Sequence, residues 1–176
     1  RKLYGREAQT AQLLSAFERV TTSTVAEMVL VAGYSGVGKT ALVHEVHLEL
    51  ARRRGRFVRG KFDQYQRDIP FSALLAAFGQ LLQQILAESE AQLAAWRQAL
   101  RDALGNNARV ITDVLPELGI VLGAQAAQDG VDELDELDEL GPQETKNRFL
   151  LTFQRFVGVF ARPEHPLVLF LDDLQW

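Results

Sequence analysis

A glycine-rich loop near the start of the chain contains the residue types that a triphosphate site requires. Residues 33–40 read Gly-Tyr-Ser-Gly-Val-Gly-Lys-Thr and fit the pattern G-x-x-x-x-G-K-[ST] at every position. Glycines let a backbone curl until its N–H groups surround phosphate oxygens, and a helix beginning near Lys39 adds the positive end of its dipole. The Lys39 charge suits the β- and γ-phosphates, and the Thr40 hydroxyl is a hard oxygen ligand for Mg²⁺. The alternative is an ordinary glycine turn.

Two adjacent acids near the other end of the chain supply the second half of this chemistry. The apolar run 167–171 is followed directly by Asp172 and Asp173. A buried parallel strand that ends in carboxylates delivers them to the sheet edge where ligands gather. We expect Asp172 to hold Mg²⁺ through water and Asp173 to orient or deprotonate an attacking water. The alternative is a helix N-cap after a strand.

The elements around the glycine loop are those that would position it. Residues 28–32 form a continuous apolar run that predicts a strand buried on both faces. An amphipathic helix is predicted over 39–54 and a second short strand over 57–60. The order strand, glycine loop, helix and strand is typical of a right-handed crossover unit.

The middle of the chain is predicted to be helical. Apolar residues recur at helical spacing over 70–86, 93–104 and 149–160, whereas 119–123 is expected to be a loop or turn. Residues 132–140 repeat Asp-Glu-Leu three times and carry six carboxylates. A period of three drifts around a helix, so we expect a solvated loop there. A cation site or an acidic docking patch is the alternative.

Composition excludes several classes of protein. The 176 residues are 47% apolar, which is enough for one core, and the absence of cysteine excludes disulfides and cysteine-bound metals. A net charge of −4 argues against a dedicated nucleic-acid binder. No apolar run approaches the roughly 18 residues of a membrane span, and the first residues lack a signal peptide. We therefore expect a cytoplasmic protein without direct nucleic-acid binding.

These motifs resemble those of a known family. The loop at 33–40 and the acids Asp172 and Asp173 resemble the Walker A and Walker B motifs of P-loop ATPases that have an additional strand between them. Residues 3–7, Leu-Tyr-Gly-Arg-Glu, resemble the Gly-Arg-Glu motif of AAA-type and STAND ATPases, which contacts adenine. Segments 60–64, 147–149 and 172–176 are similar to ATPase modules of large bacterial regulators and of serine/threonine or hybrid histidine kinases.

The resemblance implies an α/β P-loop NTPase fold, with a parallel sheet flanked by helices and a helix-rich middle insertion. It also implies truncation after the Walker B strand, because the sequence stops three residues after Asp173, whereas the family's sheet continues with strands that carry sensor residues. One of those strands normally lies between the Walker A and Walker B strands of the sheet. One ATPase domain would then divide into five parts. These are a Gly-Arg-Glu segment at 1–25, a Walker A unit at 26–61, a helical region at 62–125, an acidic loop at 126–142, and a helix with the Walker B strand at 143–176.

The resemblance also implies a site for ATP and Mg²⁺. Lys39 and Asp173 are the expected catalytic residues, and Thr40 and Asp172 the expected magnesium ligands. The expected nucleotide-binding residues are Gly5, Arg6, Gly33, Ser35, Gly36, Val37, Gly38, Lys39, Thr40 and Ala41.

The expected function is an ATP-binding, slowly hydrolysing switch domain of a multidomain bacterial signalling protein, a kinase or a transcriptional regulator. Its expected partners are ATP and ADP, the other domains of the same polypeptide, and further copies in a nucleotide-dependent homo-oligomer. The isolated fragment is expected to be poorly active. The alternatives are a nucleotide-binding scaffold without turnover and an AAA-type loader acting on DNA, against which the acidic pI near 5.4 argues.

Overall fold

A computed structural model describes residues 5–23, 25–34, 36–52, 55–63, 71–123, 141–163 and 165–174. Within these ranges the chain is rich in helix and carries one small parallel sheet, in agreement with an α/β fold. In chain order the elements are α1 Glu7–Ser23, α2 Lys39–Arg52, β1 Arg56–Lys61, α3 Ser72–Leu86, α4 Glu90–Leu104, α5 Ala108–Thr112, α6 Pro116–Leu122, α7 Pro142–Phe160 and β2 Leu167–Asp172.

The sheet joins two strands that are far apart in sequence. β1 and β2 run parallel, in a register that pairs Arg56 with Leu167 and Lys61 with Asp172. The backbone ladder continues one step further, where the N–H of Phe62 donates to the carbonyl of Asp172 at 3.0 Å. Both strands were predicted from the sequence, β2 from its apolar run and β1 as a short strand over 57–60. Their pairing brings the end of β1 beside the two acids.

The predicted strand at 28–32 is not observed. Met28 and Leu30 are 96% and 73% exposed, and residues 25–34 contain no strand. An apolar run becomes a buried strand only where a neighbouring strand pairs with its backbone N–H and C=O groups. In the part of the chain that the structure describes, β1 and β2 pair with each other, and no strand lies beside residues 28–32. The apolar run alone therefore predicted the wrong local structure.

A short helix occupies the position where a loop was expected. Residues 119–123 overlap α6, which begins at Pro116. Proline at the first helical position already has the required φ and needs no N–H partner, so it can start this helix. Leu118, Val121 and Leu122 are then buried in the core. These three residues therefore form the buried side of a short helix.

The main core lies between the helices of the middle and α7. Its largest fully buried side chains include Phe78, Phe156 and Phe160, whose rings contact one another at centroid distances of 5.1 to 6.1 Å. Edge-to-face and tilted contacts of this kind add to the free energy gained by burying the rings. A smaller cluster joins α1 to α2 through Phe17 and Leu50. The helical middle thus forms a platform against which the sheet packs.

Two contacts fix β1 on this platform. Gly60 lies so close to α3 that a Cβ atom built on it would fall 2.1 Å from the carbonyl oxygen of Ala73. At the other end of the strand, Arg56 pairs with Glu88 at 3.1 Å, and Trp96 Nε1 donates to the same carboxylate at 2.9 Å. The guanidinium of Arg56 also lies 4.6 Å from the centre of the Trp96 ring.

Candidate functional site

The glycine loop leads directly into the first turn of α2. The N–H of Leu42 donates to the Gly38 carbonyl at 3.0 Å, and α2 begins at Lys39. Gly36 and Gly38 have φ values of +79° and +92°, in the left-handed region that favours glycine. A glycine loop that ends at a helix N-terminus can bind an anion through its backbone N–H groups. Ser35 lies outside the described residues, and Ala41 follows in the first turn of α2.

Lys39 folds back over the loop that precedes it. Its ammonium donates to the carbonyls of Gly33 and Tyr34 at 2.8 and 3.0 Å. A Cβ atom on Gly33 would fall 2.9 Å from the Val37 side chain, so a larger residue at this position would force Val37 to shift. The lysine charge is therefore held at the mouth of the loop, where an incoming phosphate can replace the two carbonyl contacts.

Arg6 connects the segment before α1 to the loop. Its guanidinium donates to the carbonyl of Val37 at 3.2 Å, across 31 positions of sequence. Gly5 has a φ of +75°, and its N–H donates to the Glu7 carboxylate at 3.3 Å. The structure thus brings the Gly-Arg-Glu segment to the glycine loop. Leu3 and Tyr4 lie outside the described residues.

Thr40 and Asp172 meet between α2 and the end of β2. The Thr40 hydroxyl donates to Asp172 Oδ2 at 3.4 Å, although 132 positions separate the two residues. A hydroxyl and a carboxylate are hard oxygen ligands, and Mg²⁺ in triphosphate sites takes one or two protein oxygens together with phosphate oxygens and water. The donor set at this point therefore fits magnesium.

Asp173 has an unusual backbone conformation. Its φ is +57°, and its N–H donates to Asp172 Oδ1 at 3.1 Å. Aspartate and asparagine adopt the left-handed region more readily than other side chains because their short polar groups bond locally. This turn directs the Asp173 carboxylate to Lys61, whose ammonium lies 3.3 Å from Oδ2.

Two basic residues of β1 face the two acids of β2, and the sequence pattern did not identify them. Arg59 pairs with Asp172 Oδ2 at 2.8 Å, and Lys61 pairs with Asp173. Residues two apart in a strand share one face of the sheet, and the parallel register places both opposite the end of β2. The alternation of Arg59 and Lys61 was therefore visible in the sequence, but only the pairing of β1 with β2 shows that the two acids are their partners.

The acidic triplets at 132–140, Gln64 and Trp176 lie outside the described residues. Within those that the structure describes, no helix has the length and apolar content needed to cross a membrane.

Comparison with known proteins identifies relatives. The family described as AAA ATPase domain matches residues 2–176. The chain is 37% identical over 174 residues to the hybrid signal transduction histidine kinase G of Dictyostelium discoideum. That alignment covers 99% of this chain and 5% of the kinase. No solved structure matches. These findings confirm the resemblance to AAA-type ATPase modules of hybrid histidine kinases.

Proposed function

This chain belongs to the AAA ATPase domain family, and we propose that it binds ATP with Mg²⁺ and acts as a slowly hydrolysing switch in a multidomain signalling protein. The observation that carries the proposal is the contact of Thr40 with Asp172, which joins the glycine loop to the acidic end of β2. An arrangement that only stabilised the fold would not require a loop lysine and a hard-oxygen pair at one helix N-terminus.

Each residue has a defined part in this proposal. The N–H groups at the start of α2 bind the phosphates, and Lys39 exchanges its carbonyl partners for phosphate oxygens. Thr40 and Asp172 hold Mg²⁺, which neutralises charge on the phosphates when bound. Asp173 orients a water for attack on the terminal phosphate and accepts its proton. Arg6 supports the loop through the Val37 carbonyl.

The loop is also suited to report the state of the nucleotide. Arg6 contacts it from the segment before α1, and Asp172 contacts the adjoining Thr40 from β2. Loss of the terminal phosphate would release Lys39 and change these contacts together. Order and disorder of loops around a terminal phosphate is a general switching mechanism.

The relative supports a proposal about the surroundings of the domain. Because the chain spans 5% of the hybrid kinase that it matches, we propose that kinase, sensor or DNA-binding domains of the same polypeptide receive the signal. Nucleotide-dependent association of several copies and a cytoplasmic location complete the proposal. The cysteine-free sequence is consistent with a reducing compartment.

The second candidate is a scaffold that binds nucleotide without turnover. The pairing of Asp172 with Arg59 and of Asp173 with Lys61 favours it, since both acids already have cationic partners. Each ion pair would have to open before its carboxylate could hold a metal ion or orient a water, and this would slow turnover.

Wild-type turnover together with Asp173→Asn in the intact protein separates the two candidates, because the scaffold predicts nucleotide binding without phosphate release already in the wild type. Binding is measured with a fluorescent ATP analogue and turnover by phosphate release, both with Mg²⁺ present. The switch requires that the variant bind nucleotide and lose phosphate release, whereas unchanged release with binding retained would exclude Asp173 as the water-activating group. Lys39→Met is the companion variant, and it should weaken nucleotide binding itself. No binding by the wild-type protein would refute both candidates.

A further inference from the structure

Asp172 Oδ2 has two partners that differ in kind. The Thr40 hydroxyl approaches it at 3.4 Å and the Arg59 guanidinium at 2.8 Å. The first belongs to the proposed magnesium site. The second is a full positive charge from the neighbouring strand. The Asp172 side chain is 14% exposed, so this pairing occurs at a poorly solvated carboxylate.

A metal ion and a guanidinium compete for this oxygen. Two cations that share one carboxylate oxygen within a few ångström repel each other strongly, more so where water is scarce. The Arg59 charge therefore opposes direct contact of Mg²⁺ with Oδ2 until Arg59 moves away from that oxygen. Its side chain is 47% exposed, and its Cζ lies 5.5 Å from the centre of the Phe170 ring, so it has both open space and an aromatic face to accept it.

We propose that Arg59 holds Asp172 in the metal-free state in place of Mg²⁺, so that its displacement sets the magnesium concentration at which the site assembles. The inference rests on the proposed function, because it concerns the metal that accompanies ATP. Arg59 is a positioning residue here. It keeps the Asp172 carboxylate directed at Thr40 and raises the magnesium concentration that is needed for the metal to displace Arg59 from that carboxylate.

Lys61 provides a matched comparison on the same strand. It lies two positions along the same face and pairs with Asp173 at 3.3 Å, and not with the proposed metal ligand. Removing Lys61 takes away one positive charge near the site, as removing Arg59 does. The difference between the two variants therefore isolates the contact to Asp172 Oδ2 from the general effect of charge.

The experiment titrates Mg²⁺ into the intact protein with a fluorescent ATP analogue present and compares wild type with Arg59→Gln, Lys61→Gln and Arg59→Lys. The readout is the magnesium midpoint of the fluorescence change. Analogue affinity in EDTA is measured separately, and thermal unfolding checks the fold of each variant. We expect Arg59→Gln to lower the midpoint about two- to fivefold beyond Lys61→Gln, the range that a partly exposed ion pair supports. Arg59→Lys should return it toward the wild-type value.

The outcomes are distinct. A midpoint in Arg59→Gln that is not below that of Lys61→Gln overturns the inference, while analogue binding by wild type leaves the proposed function intact. Failure of the wild-type protein to bind the analogue at any magnesium concentration contradicts the proposed function itself. If Arg59→Gln unfolds, Arg59→Ala takes its place and is compared with Lys61→Ala by the same criterion.

Discussion

Gly60 of β1 and Ala73 of α3 are in backbone contact, with a separation that leaves no space for a side chain. A Cβ atom on Gly60 would meet the Ala73 carbonyl oxygen at 2.1 Å and the Leu171 side chain at 3.1 Å. The first neighbour is backbone and cannot rotate away. The close approach lets β1 lie against the helical platform. It thereby fixes the position of Arg59 and Lys61 relative to the acids of β2.

Gly60→Ala should therefore destabilise the protein. Because the strand or α3 has to shift, we expect a loss of about 3 kcal/mol in the free energy of unfolding, at the upper end of overpacking effects. Urea denaturation followed by circular dichroism measures this loss. Gly158→Ala in α7 is the control, since a Cβ atom built there would have no neighbour within 4 Å. The control should gain about 0.5–1 kcal/mol from the better helix propensity of alanine. Equal stability of the two variants would contradict the close packing of β1 on α3.

Glu88→Gln tests the second contact that fixes β1. The Glu88 carboxylate accepts from both Arg56 and Trp96, so its neutral replacement leaves Arg56 with a weaker partner. We expect a loss of about 1–2 kcal/mol in the free energy of unfolding, as for hydrogen bonds to charged groups. Glu90→Gln is the control. Its side chain is 84% exposed and lies 3.9 Å from Arg97, so its effect should stay within about 0.5 kcal/mol. Similar losses of unfolding free energy in both variants would show that the Glu88 carboxylate does not fix β1.

Asp173→Ala and Asp173→Asn should differ in stability although both remove the carboxylate. Alanine is poorly suited to the φ of +57° at this position, whereas asparagine tolerates it. Both variants lose the pairing with Lys61, so that contribution cancels. We expect Asp173→Ala to be less stable than Asp173→Asn by about 1 kcal/mol, the lower range of left-handed strain. Urea denaturation without nucleotide gives the comparison, and equal midpoints would show that the turn relaxes freely.

Local features of the site could be predicted from the sequence, and so could the meeting of Thr40 with Asp172, whereas the pairing of the strands could not. The glycine loop and the start of α2 follow from residues that are adjacent in the chain, so the helix was correctly expected to begin near Lys39. The prediction of a strand at 28–32 was wrong because a strand forms only where a neighbouring strand pairs with its backbone. Arg59 was missed for the same reason. Its partner, Asp172, lies 113 positions away, and only the register of β1 and β2 brings the two together.

The segment that leads into the glycine loop is held by an ion pair whose strength should depend on pH. Arg19 donates twice to Glu27 at 2.7 Å, and this hydrogen bonding lowers the pKa of the Glu27 carboxyl below its ordinary value of 4.5. Because the folded pKa is the lower one, the contact stabilises the fold above pH 4.5 and is lost as the pH falls through the folded pKa.

Carbon NMR of the Glu27 carboxyl during an acid titration tests this pH dependence. The wild-type protein should titrate below 4.5, and Arg19→Gln should return the midpoint toward that value. Residues 25–31 should exchange their amide hydrogens faster in the same variant, because Glu27 is then no longer tied to α1. A Glu27 midpoint that does not move when Arg19 is replaced would show that another group holds this segment. The expected result would identify the Arg19–Glu27 pair as the contact that keeps the approach to Gly33 in place at neutral pH.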